Sequence, residues 1–245
     1  MEKIDGETKI VILAAGKGKR MQSEDPKVLA KLAGKHLIRH LLLEVEKVSS
    51  EKPIVIVGYK AELVKKELGD SCIYVEQKEQ LGTGHAVLSA SAELRGARRV
   101  VILNGDQPFT TAATMRKLAE ERSPVTMATI KIPDFLGWRE VFLKYGRTLR
   151  DPEGQIKKIV EYKDASEDER KITELNVNDF CFEVSWLLAH LKKLKNDNVQ
   201  KEYYLTGVFE IARDEGITIE SIQIDPREAL GANTKEELEI LERFA

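Results

Sequence analysis

Residues 9–29 read KIVILAAGKGKRMQSEDPKVL, an apolar run that breaks at Gly16 and Gly18 into a segment carrying four cations, Lys17, Lys19, Arg20 and Lys27. Glycine lets backbone N–H groups approach phosphate oxygens while Lys and Arg neutralise them, so a strand feeding such a loop is a phosphate cradle. Taken alone, the stretch also reads as a structural turn with solvated lysines. It is not the dinucleotide fingerprint, because Met21 stands at the third glycine position, and no GxxxxGK[ST] motif occurs, so NAD binding and P-loop ATPase chemistry are both disfavoured. Farther on, Asp106 ends the run Asn104-Gly105-Asp106. A carboxylate just beyond a buried strand is the expected holder of Mg²⁺, which keeps waters and phosphate oxygens as its other ligands. A plain turn aspartate is the alternative.

These residues need a scaffold, and the apolar pattern supplies one. Lys9 to Leu13, Pro53 to Val57, Cys72 to Val75, Arg99 to Leu103 and Val125 to Ile130 are short Val- and Ile-rich runs, as expected of parallel strands buried on both faces. Helical periods lie between them, at His36 to Val48, Ala61 to Leu68, His85 to Leu94 and Thr111 to Glu121. The alternation predicts an α/β fold, a Rossmann-like doubly wound, mixed but mostly parallel sheet whose ligands bind at the carboxyl ends of the strands. Phe135 to Glu161 instead carries turn signals at Leu136-Gly137, Tyr145-Gly146 and Pro152-Glu153-Gly154, and predicts an inserted hairpin-rich lobe. Helices are expected again at Ser185 to Leu194 and Tyr203 to Asp214, a strand at Ile217 to Ile224, and a last helix at Lys235 to Phe244 capped by Thr234.

Composition narrows the partners. A chain of 245 residues with 42% hydrophobic and 33% charged residues can bury one large core. A formal net charge of −2 argues against a nucleic-acid-coating protein, so the positive charge is local, as for a small anionic ligand. No stretch reads as a membrane span or secretory signal, and Cys72 and Cys181, far apart and without a CxxC partner, read as buried free thiols in a reducing, cytoplasmic setting. No membrane partner is expected, and the chain is read as a monomer or weak dimer. His36, His40 and His190 lack metal-ligand spacing, and His85 is read as a cap or packing residue.

The segments LAAGKGKRM, PKVL, QLGTGHA, NGDQP, YGR, IVEYKDA, ELN, EYYLT and GANT occur in that order. Together they resemble the N-acetylglucosamine-1-phosphate uridylyltransferase (pyrophosphorylase) branch of the sugar-1-phosphate nucleotidylyltransferase family, over about Ile10 to Leu241. In bacteria that branch forms one part of a bifunctional enzyme that makes UDP-N-acetylglucosamine. The resemblance implies one nucleotidylyltransferase domain over 1–245, with a nucleotide-binding half at about 1–132, a sugar-binding part at about 133–233 and a C-terminal helix at 234–245. It implies UTP and a sugar 1-phosphate as partners and Mg²⁺ as cofactor. The chemistry would be in-line attack of the sugar phosphate on the α-phosphorus, with electrostatics and positioning carrying most of the work.

By the same resemblance Arg20 neutralises the triphosphate, Lys27 stabilises charge around the α-phosphorus, and Asp106 shares the metal with Asn233. Leu13, Ala14, Ala15, Gly16, Gln77, Gly82 and Thr83 hold the nucleotide, the Gln77 amide offering a donor and an acceptor to the uracil edge. Gly146, Glu161, Asn176, Tyr204 and Thr206 form the sugar pocket. Pro26 fixes its own φ and biases Asp25 toward an extended shape, which suits an aimed Lys27. There are departures from the family pattern. Lys19 replaces a threonine, Pro133 to Lys144 is longer than usual, Asn178 stands where glycine is common, and Gly207 replaces an aspartate. Trp138 in the longer loop is read as a hydrophobic plug rather than a sugar-stacking ring. No hexapeptide repeat is found, so neither acetyl transfer nor trimerisation through such repeats is expected. Glucose 1-phosphate or dTTP as substrate, and a non-catalytic nucleotide-sugar sensor, are the competing readings.

Overall fold

The computed structural model describes residues 3–21 and 24–245, the Lys19 side chain apart; the extra charge expected of that lysine lies outside the described residues. The first half alternates as its apolar runs require: β1 (Thr8–Ala14), the short pair β2 (Lys31–Leu32) and β3 (Lys35–His36), α1 (Leu37–Val48), β4 (Ile54–Val57), α2 (Ala61–Leu68), β5 (Ile73–Glu76), α3 (Thr83–Ser89), α4 (Ser91–Leu94), β6 (Arg99–Asn104), α5 (Ala112–Glu120) and β7 (Val125–Lys131). The second half adds β8 (Gly146–Arg150), β9 (Ile156–Val160), α6 (Glu167–Arg170), β10 (Glu174–Glu183), α7 (Val184–Leu191), α8 (Val208–Asp214), β11 (Glu220–Gln223) and α9 (Lys235–Glu242). In α1 the buried residues Leu37, Ile38, Leu41, Leu42, Val45 and Val48 form the stripe that docks it on the sheet.

Among the described residues the main sheet runs β11-β7-β10-β6-β1-β4-β5, and β8 joins the β8–β9 hairpin to β10. β6, β1, β4 and β5 are parallel to one another, whereas β10 pairs antiparallel with both β6 and β7. The chain moves from β1 outward through β4 to β5 and returns to the other side of β1 with β6. That reversal opens a crevice at the carboxyl ends of β1 and β6, the usual ligand position of such sheets. One apolar cluster lies on the face with α1, α2 and α5, and another on the face with α3, α7 and α8. β10 serves both faces, giving Leu175, Val177 and Cys181 to the first and Phe180 and Phe182 to the second.

Several expectations needed correction. The helix read over His85 to Leu94 is broken at Ala90 into α3 and α4, and the helix read from Tyr203 begins only at Val208, after a 3₁₀ turn over Leu205–Gly207. The hairpin-rich lobe contains one hairpin, β8–β9, and Gly137–Lys144 is a 3₁₀ helix. Trp138 in that helix packs edge-on against Phe142 and against Phe244 beyond α9, as a plug. β10, the longest strand, was absent from the sequence reading. Both cysteines are free and buried, Thr234 caps α9 through Glu237 N, and among the described residues no helix is long and apolar enough to cross a membrane.

Candidate functional site

The loop after β1 is folded back on itself so that Gly18 stands where a side chain would not fit. Gly18 has φ +64°, and a Cβ there would lie 2.6 Å from Lys27 Cβ. The close approach clamps Lys27, which opens the 3₁₀ turn Lys27–Leu29 directly after Pro26. Lys27 Nζ then donates to Asp106 Oδ2 at 2.6 Å and to Asn233 Oδ1 at 2.9 Å. Lys27, Asp106 and Asn233 come from the start of a 3₁₀ turn, the end of β6 and the approach to α9, yet they meet at one ammonium.

The Asp106 turn is tied to the two segments beside it. Ala232 N donates to Asp106 O at 3.3 Å, and Gln107 Nε2 donates to both Val177 O (3.0 Å) and Ala229 O (3.3 Å). Asn104 Nδ2 in turn donates to Gln107 Oε1 at 3.0 Å, so the buried Gln107 amide is used at both ends. Asn233 N donates to Glu237 Oε2 at 2.6 Å, which fixes it against the first turn of α9. Arg20, by contrast, is exposed, and among the described residues it forms no hydrogen bond or ion pair. Lys17 lies over the Tyr59 ring, 5.1 Å from its centroid.

A cleft of about 740 Å³ opens above these groups. Leu13 and Ala14 line it from the end of β1, Ala15 and Gly16 from the loop just beyond, Arg20, Lys27 and Asp106 from the charged end, and Gln77, Gly82 and Thr83 from the segments after β5. Gln77, just beyond β5, is buried, and its Nε2 lies 3.1 Å from Gly82 O and 3.1 Å from His85 Nδ1. A carbonyl can only accept, so the amide nitrogen belongs on that side, and among the described residues Oε1 has no donor. His85, read as a cap or packing residue, lies inside α3, half-buried, with its Nδ1 against the Gln77 amide. Gly82, at φ +116°, packs where a Cβ would lie 2.6 Å from Tyr203 O, and Thr83 Oγ1 accepts from Leu205 N at 2.9 Å.

Glu161, Tyr204 and Thr206 line a second cleft of about 500 Å³ instead. Gly146 and Asn176 line neither of the two clefts, but they neighbour Glu161: a Cβ on Gly146 would lie 3.6 Å from Asn176 Cβ and from Glu161 Oε1. Thr206 Oγ1 donates to Glu161 Oε1 at 3.3 Å, and burial pushes the Glu161 carboxyl above the usual range. Burial also pushes the Tyr204 phenol up to about 12. Asn178 sits at φ +62° in a bulge of β10, where glycine or asparagine is tolerated, so this departure from the family pattern preserves the backbone. Its Oδ1 accepts from Asn176 Nδ2 at 2.7 Å. At Gly207, a Cβ would come within 2.9 Å of Leu194, which leaves no room for the aspartate of the family pattern without movement there.

The two clefts have no lining residue in common; a strap divides them. Gln200 bonds to Lys163 and donates from Nε2 to the Tyr204 hydroxyl at 2.7 Å, and Val199 N donates to Asp164 Oδ1 at 3.0 Å. Lys163, Gln200 and Glu202 line the first cleft, and sequence reasoning missed all three. Lys163 and Glu202 carried a signal, their places within IVEYKDA and EYYLT, and Gln200 carried none.

The charged end suits a divalent ion. Asp106 and Asn233 already converge on one cation through hard oxygen atoms, the donor type Mg²⁺ prefers. Among the described residues no group of three His, Cys, Asp or Glu could hold a metal, so a bound ion would need oxygens from its ligand as well. The arrangement as a whole can neutralise a polyanion at one end of a cleft and read a planar ring at the other.

Comparison with known proteins gives a consistent picture. The family profile of the MobA-like NTP transferase domain matches residues 10–171. The bifunctional protein GlmU of Caldanaerobacter subterraneus subsp. tengcongensis is 41% identical over 237 residues, covering 95% of this chain and 50% of that protein. That of Shouchella clausii is 43% identical over 231 residues, covering 92% and 49%. The chain therefore spans about half the length of these curated relatives. Among solved structures, UDP-glucose pyrophosphorylase complexed with UDP-glucose superposes with a TM-score of 0.73 at 19% identity, over 100% of this chain and 98% of that one. The inositol-1-phosphate CTP transferase from T. maritima superposes with a TM-score of 0.69 at 20% identity, over 96% and 95%. At such identities the likeness speaks for the fold.

Proposed function

Because the chain belongs to the MobA-like NTP transferase family, we propose that it transfers a uridylyl group from UTP to N-acetylglucosamine 1-phosphate, releasing pyrophosphate and forming UDP-N-acetylglucosamine. The observation that carries this reading is the meeting of Lys27 with Asp106 and Asn233 beside a cleft that Lys27, Asp106 and Gln77 all line. The GlmU relatives support the choice of this reaction over glucose 1-phosphate or dTTP.

The sugar phosphate oxygen is anionic at neutral pH, so it attacks without a general base. Its bond to the α-phosphorus forms as the bond from that phosphorus to the bridging oxygen breaks, and pyrophosphate leaves with the electron pair. Arg20, without a partner among the described residues, neutralises the departing phosphates, and Lys27 stabilises charge gathering at the α-phosphoryl oxygens. Asp106 and Asn233 would hold a divalent ion, Mg²⁺, which when bound supplies further neutralisation of the phosphates. Gln77 Oε1 accepts from the N3–H of uracil; cytosine offers a lone pair at that position and is rejected. Glu161 and Asn176, with Gly146, Tyr204 and Thr206, serve the sugar.

In this reading residues 1–132 handle the nucleotide, 133–233 the sugar, and 234–245 brace Asn233, in one domain acting in the cytoplasm as a monomer or weak dimer. Pyrophosphate release measured across a panel of nucleoside triphosphates and sugar phosphates tests the proposal. UTP with N-acetylglucosamine 1-phosphate is the expected best pair; turnover only with another pair would sink it. Asp106→Ala is expected to abolish turnover while circular dichroism stays native, and no turnover by the wild type with any pair would favour the sensor reading.

A further inference from the structure

Lys27 has two claims on one ammonium. The proposed reaction needs it at the α-phosphoryl oxygens, yet Nζ is bonded to Asp106 Oδ2 at 2.6 Å and Asn233 Oδ1 at 2.9 Å. Those are the same two oxygens that would hold the divalent ion.

The pairing has a physical cause. A carboxylate and an amide oxygen are both acceptors, and the folded chain forces them together: Asp106 is 8% exposed, and Ala232 and Gln107 bind the Asn233 approach to the Asp106 turn. Facing each other with no cation between them, they would repel in a site poor in water. Lys27 is held within reach by Gly18 and Pro26, and it supplies the missing charge. Its side chain keeps 20% exposure and that of Asp106 12%, so the pair is open to solvent on one side.

We infer that Lys27 is the resting occupant of the cation site formed by Asp106 and Asn233, and that its ammonium is released to phosphate by exchange with the divalent ion. The inference rests on the metal role proposed for those two residues. An ammonium with two of its three N–H groups spent on these oxygens has one left for phosphate. A dication drawn to the same oxygens faces that ammonium at short range, and like charges repel. Ion binding and Lys27 availability are therefore one equilibrium, and by linkage each favours the other equally. Triphosphate alone competes poorly for Lys27, and a divalent ion alone competes poorly for Asp106. Together they satisfy every charge.

Calorimetric titration with MnCl₂ alone, with no nucleotide or sugar phosphate, tests the exchange without turnover. Lys27→Met and Lys27→Gln are expected to bind Mn²⁺ about tenfold tighter than the wild type, within the usual range of coupling between sites, and Asp106→Asn is expected to remove the gain. Equal or weaker binding by both neutral variants, with native melting curves, overturns the inference. Wild-type crystals soaked in MnCl₂ with and without UTP give a second measurement that needs no variant. Manganese on both oxygens with Lys27 Nζ displaced from Asp106 is the expected result, and manganese there with Nζ unmoved overturns the exchange. Manganese absent from these oxygens in both soaks overturns the metal assignment itself, and the inference with it.

Discussion

Arg20 and Lys27 carry the same charge in opposite circumstances. Arg20 is exposed in the 3₁₀ turn Lys19–Met21 and has no partner among the described residues, so its truncation is expected to cost charge-assisted bonds to the phosphates and little of the fold. Such bonds are worth about 1.5–3 kcal/mol each, so Arg20→Ala is expected to raise KM for UTP by about tenfold or more, with KM for the sugar phosphate unchanged in the same steady-state assay. Gln77 makes a different prediction, because its orientation is fixed by Gly82 O rather than by the ligand. UTP with a divalent ion should raise the melting temperature more than CTP does, and an equal shift would remove the acceptor assignment. At this scale the sequence was readable where a residue type is rare in its setting. Cations after glycines and a carboxylate after a buried strand declared themselves. Gln200 did not, since an exposed polar side chain on a loop looks the same whether or not the fold turns it toward a cleft.

Elements were readable in proportion to how local their causes are. β1, β4 and β6 are continuous apolar runs because both faces are covered, and they stand within a residue or two of their expected ends. β10 reads ELNVNDFCFE, and its buried Asn176 and Asp179 resemble a loop to any local rule. The Asn176 side chain is met by Asn178 two residues on, whereas the bulge carbonyls and Asp179 find partners far along the chain: Asn104 and Gln107 reach Val177 O and Asn178 O, and Thr110 reaches Asp179 Oδ2. Asp179 also carries the clearest pH signature. Burial pushes its carboxyl up to about 8, the Thr110 hydroxyl offsetting only part, and among the described residues its Oδ1 has no hydrogen-bond partner. From about pH 4 the unfolded chain has lost this proton while the folded chain keeps it to about pH 8. Stability from this group therefore falls as pH rises through that window. Asp179→Asn should melt close to wild type near pH 4, in the acid part of the window, and above it near pH 8; parallel curves would refute the shift. In the phosphate loop, Gly18→Ala would press on Lys27 from 2.6 Å at a positive φ. Its kcat is expected to drop by roughly 10- to 100-fold, the scale of a misplaced reacting group, with folding retained.

At the scale of the whole molecule, the two clefts that hold the candidate site residues lie side by side, parted by the strap from Lys163 to Gln200 and Tyr204. If the division of labour follows that partition, Glu161→Gln raises KM for the sugar phosphate while the melting shift with UTP persists, and Gln77→Ala does the reverse. A variant that disturbs both together would show that the partition is not a functional boundary. β10 has a consequence for the chain as it is made. The strand that closes the sheet between β6 and β7 arrives only with residues 174–183, so during synthesis the outer edge of β6 waits unpaired while some seventy residues are added at the usual roughly 5–20 residues per second. For those seconds an apolar strand edge is open to any neighbouring chain. The nascent protein is thus most exposed to aggregation and most dependent on chaperones just after its nucleotide-side strands have formed, and a ribosome stall before residue 183 should leave β6 accessible to a strand-mimicking peptide that the finished chain ignores.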